Sequence, residues 1–192
     1  ILKNGTTKFI AITGEVKNEL INLDVHEKKI KEIPNGVDVF KREKDLNQES
    51  ISILTIGRLI DRKRIDMLID LIPEVNKTFE VTLTIAGSGP NEKKLMNQAK
   101  NLQISEKIIF LGEIEKDEIE YHLAQANIFV LPSSSEGMSN ALLEAMSAGL
   151  PSIVANIAAN RTLIMDGKTG KMFTDSSSLK KAIIELCHDF EL

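Results

Sequence analysis

The stretch NIFVLPSSSEGMSNALLEAMSAGLPSIVAN, residues 127–156, decides the fold. It opens on NIFVLPS, an apolar run ended by Pro132, and closes on PSIVAN, a second β-branched run. Short continuous apolar runs bounded by turn residues read as strands buried on both faces. Between them a loop of small polar residues leads into ALLEAMSA, a helix for which Ser139 or Asn140 is a suitable cap. Strand, helix, strand in this order implies two parallel strands joined by a crossover, hence a sheet covered by helices. The same stretch poses a chemical question. The helix is apolar on most faces yet carries Glu144, and Glu136 lies just ahead of it in the loop. A carboxylate buried without partners is costly, so these two need a use.

The pattern continues in both directions. From Ser50 onward the strand candidates are SISILTIG, EVTLTIAG, KIIFLG, NIFVLPS, PSIVAN and GKMF. Helical stretches fall between them near residues 65–76, 91–102, 117–126, 140–148, 158–165 and 177–188. Six βα units of this size predict an α/β, Rossmann-like doubly wound parallel sheet with helices on both faces. The first fifty residues differ. KFIAIT, GEVKNELINL and KIKEIPNGVD supply a strand, a helix and another strand, too few for a second core, and the polar KREKDLNQE follows as a connector. The expected division is therefore 1–45, the end of a neighbouring domain with its connector, and 46–192, the sheet domain. The start at Ile1 without a methionine fits a piece of a longer protein.

Composition narrows the class further. With 42% hydrophobic and 27% charged residues the chain is neither disordered nor collagen-like. A net charge of -4 gives no general attraction to nucleic acid or to an anionic membrane, so any basic site must be local. A lone Cys187 cannot form an internal disulfide, which points to the cytosol. No apolar run approaches a membrane span, and no signal peptide opens the chain.

Ligands of doubly wound sheets bind beyond the C-terminal strand ends, which directs attention to the loops there. In GRLIDRKR, residues 57–64, Arg58, Arg62, Lys63 and Arg64 gather where a helix begins. Cations are mildly unfavourable at a helix N-terminus unless an anion sits among them, and a diphosphate suits this mixture of guanidinium forks and an ammonium. A solvated turn neutralised by Asp61 and Asp66 is the other reading. AGSGP, residues 86–90, lacks the third glycine of a dinucleotide fingerprint and reads first as a tight turn. In the opening stretch, Glu144 and Ser147 share one helix face with Asn140 one turn earlier. Glu144 could accept hydrogen bonds from ligand hydroxyls such as a ribose diol. Glu136 would lie near the amides of GMSN, which suit a phosphate or a sugar held beside one. The structural alternatives are a cap contact for Glu136 and a buried ion pair for Glu144.

On these motifs the chain resembles the donor-binding half of a retaining glycosyltransferase of GT-B fold, family 4. The matching features are PNGVD (34–38), GRL followed by Lys63, AGSGP, FLGEI (110–114), DGKTG (166–170) and PSSSEGMSNALLEAMSAGLP with its E-x(7)-E spacing. They span nearly the whole chain. The resemblance implies that Arg58 and Lys63 grip the diphosphate of a UDP-, GDP- or ADP-sugar and stabilise its departure. It places Glu144 on the ribose, Glu136 on the donor sugar, and the backbone of Gly137, Met138 and Ser139 near sugar and phosphate. Gly57 belongs to the diphosphate loop, and Gly112 and Ile114 lie where the base is held. Catalytic roles fall to Glu136, Arg58 and Lys63.

The resemblance implies no metal or other cofactor, and the sequence agrees, lacking a D-x-D pair in a loop and any His/Cys cluster with ligand spacing. His26, His122 and His188 are read as surface or packing residues. The implied acceptor, a sugar or lipid-linked sugar, would be bound by an N-terminal domain, leaving this chain inactive alone. The intact enzyme is expected in the cytoplasm, peripherally at the inner face of the plasma membrane. Two departures stand out: Arg64 where the family often has glycine, and Ala158, Ala159 and Thr162 where it often has two glycines and a glutamate. A GT-B-like epimerase and a noncatalytic scaffold domain are the competing functions.

Overall fold

A computed structural model describes residues 8–39 and 50–189 of the chain. KREKDLNQE, the expected connector, lies outside the described residues. Strand β1 (Phe9–Ala11), helix α1 (Gly14–Asn22) and strand β2 (Ile30–Glu32) form a small unit in which the two strands pair in parallel. Thr13 caps α1 through its side chain.

The remainder is a six-stranded parallel sheet. In chain order its elements are β3 (Ile51–Ile56), α2 (Ile65–Val75), β4 (Val81–Ala86), α3 (Glu92–Asn101), β5 (Ile108–Gly112), α4 (Lys116–Gln125), β6 (Ile128–Leu131), α5 (Asn140–Ser147), β7 (Ser152–Ala155), α6 (Ala158–Arg161), β8 (Lys171–Phe173) and α7 (Ser176–His188). The spatial order is β5-β4-β3-β6-β7-β8. The order reverses between β3 and β6, which in open α/β sheets is where a ligand crevice forms beyond the strand ends.

Alternation within the strands explains the two helical layers. Ile53, Leu83, Ile85, Val130 and Ile153 point to one face, where α2, α3 and α7 cover them with residues such as Leu68, Ile72, Leu95 and Ile183. Leu54, Phe129, Leu131 and Val154 point to the other, against Leu123 of α4 and Leu142 and Ala145 of α5. Leu142 is fully buried, so α5 is anchored beneath the crevice by side-chain burial of about 2 kcal/mol per large residue.

One predicted helix is shorter than its sequence suggests. Residues 158–165 form only the single turn of α6, because Asn160 turns its amide back to the Ala155 carbonyl at 2.8 Å and Thr162 donates to the Ala159 carbonyl at 2.7 Å. Side chains that bond their own backbone compete with helix continuation.

Candidate functional site

The loops after β3 and β6, the neighbours at the reversal point, are tied together. The Ser134 amide donates to the Arg62 carbonyl at 2.9 Å, and the Arg62 guanidinium donates to the Ser135 carbonyl. A one-turn 3-10 helix, Asp61–Lys63, carries Lys63 into this junction. Its ammonium meets Glu136 Oε1 at 2.7 Å, while Arg62 Nη1 lies 3.3 Å from Oε2. The side chains of Lys63 and Glu136 are only 13% and 9% exposed, so the pair is largely out of water. The anion inferred among the basic residues of GRLIDRKR is, in this structure, a carboxylate of the chain itself. Glu136 makes this pair rather than a cap contact; the cap of α5 is Ser139, whose hydroxyl accepts from the Leu142 amide at 3.4 Å.

Burial alone would raise the Glu136 carboxyl pKa. Hydrogen bonding from Lys63 and Ser133 and the charges of Lys63 and Arg62 outweigh burial and hold it below its ordinary value. Ser133 Oγ is buried and makes no hydrogen bond of good geometry, although it lies near enough to Glu136 to favour the charged form.

Backbone packing sets the position of the basic loop. The Gly57 amide donates to the Ala86 carbonyl, the Leu59 amide to Ser88 and the Asn91 amide to Leu59, at 2.9, 2.9 and 3.0 Å. A Cβ on Gly87 would lie 2.1 Å from the Gly57 carbonyl oxygen, and one on Gly89 would lie 2.5 Å from the Leu59 oxygen. The AGSGP glycines therefore permit two loops to touch backbone to backbone, which is more than a tight turn requires. On its other side Gly57 passes the Lys63 side chain, whose Cε and Nζ would be 3.1 Å from a Cβ there. Arg64, the departure noted above, has φ of +52° and ψ of +33°. That is the left-handed region in which glycine carries no penalty, a steric reason for the glycine that the resemblance leads one to expect there.

Glu144 is half-buried on α5 and lines a cavity of about 270 Å³. The other walls are residues 36–38 of PNGVD and Lys116 and Glu120 of α4, with Asn140 beside Glu144. Burial pushes the Glu144 carboxyl above its ordinary value; Lys116 opposes the shift and Glu120 adds to it. Glu144 has no ion pair within 4.0 Å among the described residues, so the buried-pair alternative does not describe it. Ser147, expected to share its polar stripe, donates instead to the Glu144 backbone carbonyl at 2.9 Å.

Arg58 is exposed and stands outside the Lys63–Glu136 pairing. Gly137 lies against the N-terminal unit, since a Cβ there would be 3.1 Å from Ile12 Cδ1. Met138 accepts from the Asn35 amide through its sulfur at 3.3 Å. Gly112 ends β5 with φ of +70° and accepts from the Gly87 amide at 2.6 Å; Ile114 follows it, half-buried. His26 caps a 3-10 turn by accepting from the Lys28 amide, and His188 packs edge-on against Phe79. Among the described residues no group of three or more His, Cys, Asp and Glu could hold a metal ion, and no helix is long and apolar enough to cross a membrane.

Two contributors to the site were not singled out from sequence, Asp38 and Lys116 in the Glu144 cavity, and Arg62, marked there among the basic residues, was not foreseen as the second partner of Glu136. Asp38 stands in a motif that could have drawn attention to it. Lys116 carries no local signal, being one charge in the polar run EIEKDEIE.

Comparison with known proteins supplies the family. The chain is 32% identical to UDP-Gal:alpha-D-GlcNAc-diphosphoundecaprenol alpha-1,3-galactosyltransferase of Escherichia coli, over 96% of this chain and 52% of the relative. It is 30% identical to GDP-mannose-dependent alpha-(1-6)-phosphatidylinositol monomannoside mannosyltransferase of Mycolicibacterium smegmatis, over 71% of this chain and 38% of the relative. The chain thus spans about half or less of the length of these curated relatives.

Among solved structures, Anabaena HepE in complex with UDP and glucose superposes with a TM-score of 0.85 at 22% identity, over 96% of this chain and 55% of that one, a likeness of fold. The pneumococcal O-GlcNAc transferase GtfA in complex with UDP and GlcNAc gives a TM-score of 0.76 at 28% identity, over 96% of this chain and 38% of that one. The family model described as Glycosyl transferases group 1 matches residues 37–192, most of the sequence and all of the six-stranded sheet. With the fold and this match in agreement, the chain belongs to the glycosyl transferases group 1 family.

Proposed function

We propose that the chain supplies the donor site of a hexosyltransferase that takes its sugar from a nucleotide-diphosphate sugar and retains the anomeric configuration. The observation that carries this reading is the junction of Lys63 and Glu136 at the sheet's reversal point, ahead of the α5 N-terminus. A diphosphate entering there meets Lys63, Arg58 and the amides of Gly137 to Ser139, all of which favour negative charge. The same groups stabilise charge that develops on the departing diphosphate, so the reading requires no metal. For this to happen the free-state pair must open. Lys63 turns to phosphate oxygens, and Glu136 is released to accept from the hydroxyls of the donor sugar. Glu144, in its separate cavity, accepts from the ribose, and residues around Gly112 and Ile114 hold the base. The galactosyl and mannosyl specificities in the relatives' names support a hexose and leave UDP and GDP as the first bases to test.

In this reading residues 1–45 belong to an acceptor-binding half and 46–192 to the donor half. The exposed Ile10, Leu23 and Ile33 of the N-terminal unit, 63%, 63% and 40% accessible, support a further partner for that unit. The acceptor is a sugar or lipid-linked sugar, the intact enzyme works in the cytoplasm at the inner membrane face, and the chain alone transfers nothing. Calorimetric titration of the chain with UDP, GDP and ADP tests the donor site. At least one should bind, and Arg58→Ala and Glu144→Ala should each weaken it; binding of none would move the assignment to a scaffold domain.

A further inference from the structure

We infer that Asp38 and Lys116 are positioning residues that fasten the PNGVD segment as one wall of the nucleoside cavity, an inference that rests on the donor-site reading above. The segment lies outside the sheet and runs between β2 and the connector, yet it lines the cavity that Glu144 faces. It is held by polar links at both ends. At one, the Asn35 side chain donates to Asn140 Oδ1 at 2.8 Å and its amide to the Met138 sulfur at 3.3 Å. At the other, Asp38 Oδ2 meets Lys116 Nζ at 2.5 Å, joining residues 78 positions apart. No helix or strand includes residues 34–38, and Gly36 has nothing within 4 Å of where a Cβ would be. Between the links, then, Gly36 is exposed and offers no side-chain packing, and Val37 is only half-buried. The ion pair is what aligns that half of the wall with α4.

Both charges of the pair are well exposed, 78% for Asp38 and 67% for Lys116, so the pair adds little to global stability. Its effect is local and falls on whatever occupies the cavity. Lys116 has a second consequence there. Glu144 and Glu120 also line the cavity, and Lys116 is the cation that faces both. A ligand hydroxyl donating to Glu144 therefore sits between a carboxylate and an ammonium whose direction Asp38 sets. The pyrophosphate portion of a donor, at Lys63 and Glu136, shares no residue with the Asp38–Lys116 pair.

The test compares UDP and GDP with inorganic pyrophosphate by calorimetry, using the chain as it stands. Asp38→Asn and Lys116→Met should each weaken the nucleoside diphosphate about two- to five-fold and leave pyrophosphate and the melting temperature unchanged. The conservative variants Asp38→Glu and Lys116→Arg, which keep both the pair and the cation facing Glu144, should retain most of the affinity. Unchanged nucleotide affinity in the single variants overturns the inference, as does equal weakening of pyrophosphate. Binding of neither nucleotide nor pyrophosphate by the unaltered chain defeats the donor-site reading itself, a result distinct from the other two.

Discussion

Glu136→Gln keeps the shape of the side chain and removes its charge, leaving the Lys63 ammonium without its partner at 2.7 Å. At an effective dielectric of ~20 two charges this close attract by roughly 6 kcal/mol, but desolvation has already consumed most of that. Stranding one member of a fully buried pair costs about 3–5 kcal/mol. Here Lys63 is 13% exposed and can swing toward solvent, and Arg62 is 45% exposed. The cost is accordingly reduced to about 1–2 kcal/mol, or a drop of ~3–6 °C in Tm for a chain of this size.

The pH dependence separates this cause from simple loss of packing. The Glu136 carboxyl titrates below its ordinary value of 4.5, so the stability it contributes is fully present above that pH and is lost as pH falls through the lowered value. Thermal melts of both proteins between pH 7 and pH 3 should therefore show a constant gap above about pH 5 that closes toward the acid end. A gap that persists unchanged to the acid limit, or none at pH 7, would refute the account of this pair. The variant should also bind inorganic pyrophosphate a few-fold more tightly, since Lys63 is already free.

Gly87→Ala places a methyl 2.1 Å from the Gly57 carbonyl, so the β3 and β4 loops must part. A loss of about 2–4 kcal/mol in urea melts should accompany weaker pyrophosphate binding by calorimetry. Arg64→Gly relieves a left-handed backbone at the cost of a long, exposed contact to Asp66 of 3.8 Å, and should raise stability by about 0.5–1 kcal/mol in the same melts. Leu142→Ala opens a cavity under α5 and should cost about 2–5 kcal/mol, with Tm falling accordingly.

The sheet was legible because its central strands are buried on both faces and therefore nearly continuous in apolar character, as NIFVLPS and PSIVAN illustrate. Glu136 and the basic loop could be marked as unusual for the same reason, since each interrupts a pattern. Their partnership could not be read. Lys63 and Glu136 are 73 positions apart, and Asp38 and Lys116 are 78 apart. Pairings at such separations are decided by strand order, which no local spacing encodes. The end of α6 was missed on a smaller scale: Asn160 suits a helix by pattern but finds a better acceptor in the carbonyl of Ala155. Arg64 shows a third situation. The arginine stood where the resemblance leads one to expect glycine, and only the φ of +52° gives that expectation a steric reason.

The backbone contact of Gly57 with Gly87 divides the molecule's capacity for change. Residues 57–64 and 86–90 are keyed into one another, and a substitution in either propagates to both. Residues 34–38 meet α4 and α5 through side chains rather than backbone, Asp38 with Lys116 and Asn35 with Asn140. An engineer wishing to alter which nucleotide is accepted should mutate the latter territory freely and leave the former as found, much as one recuts a key's teeth without touching its shaft.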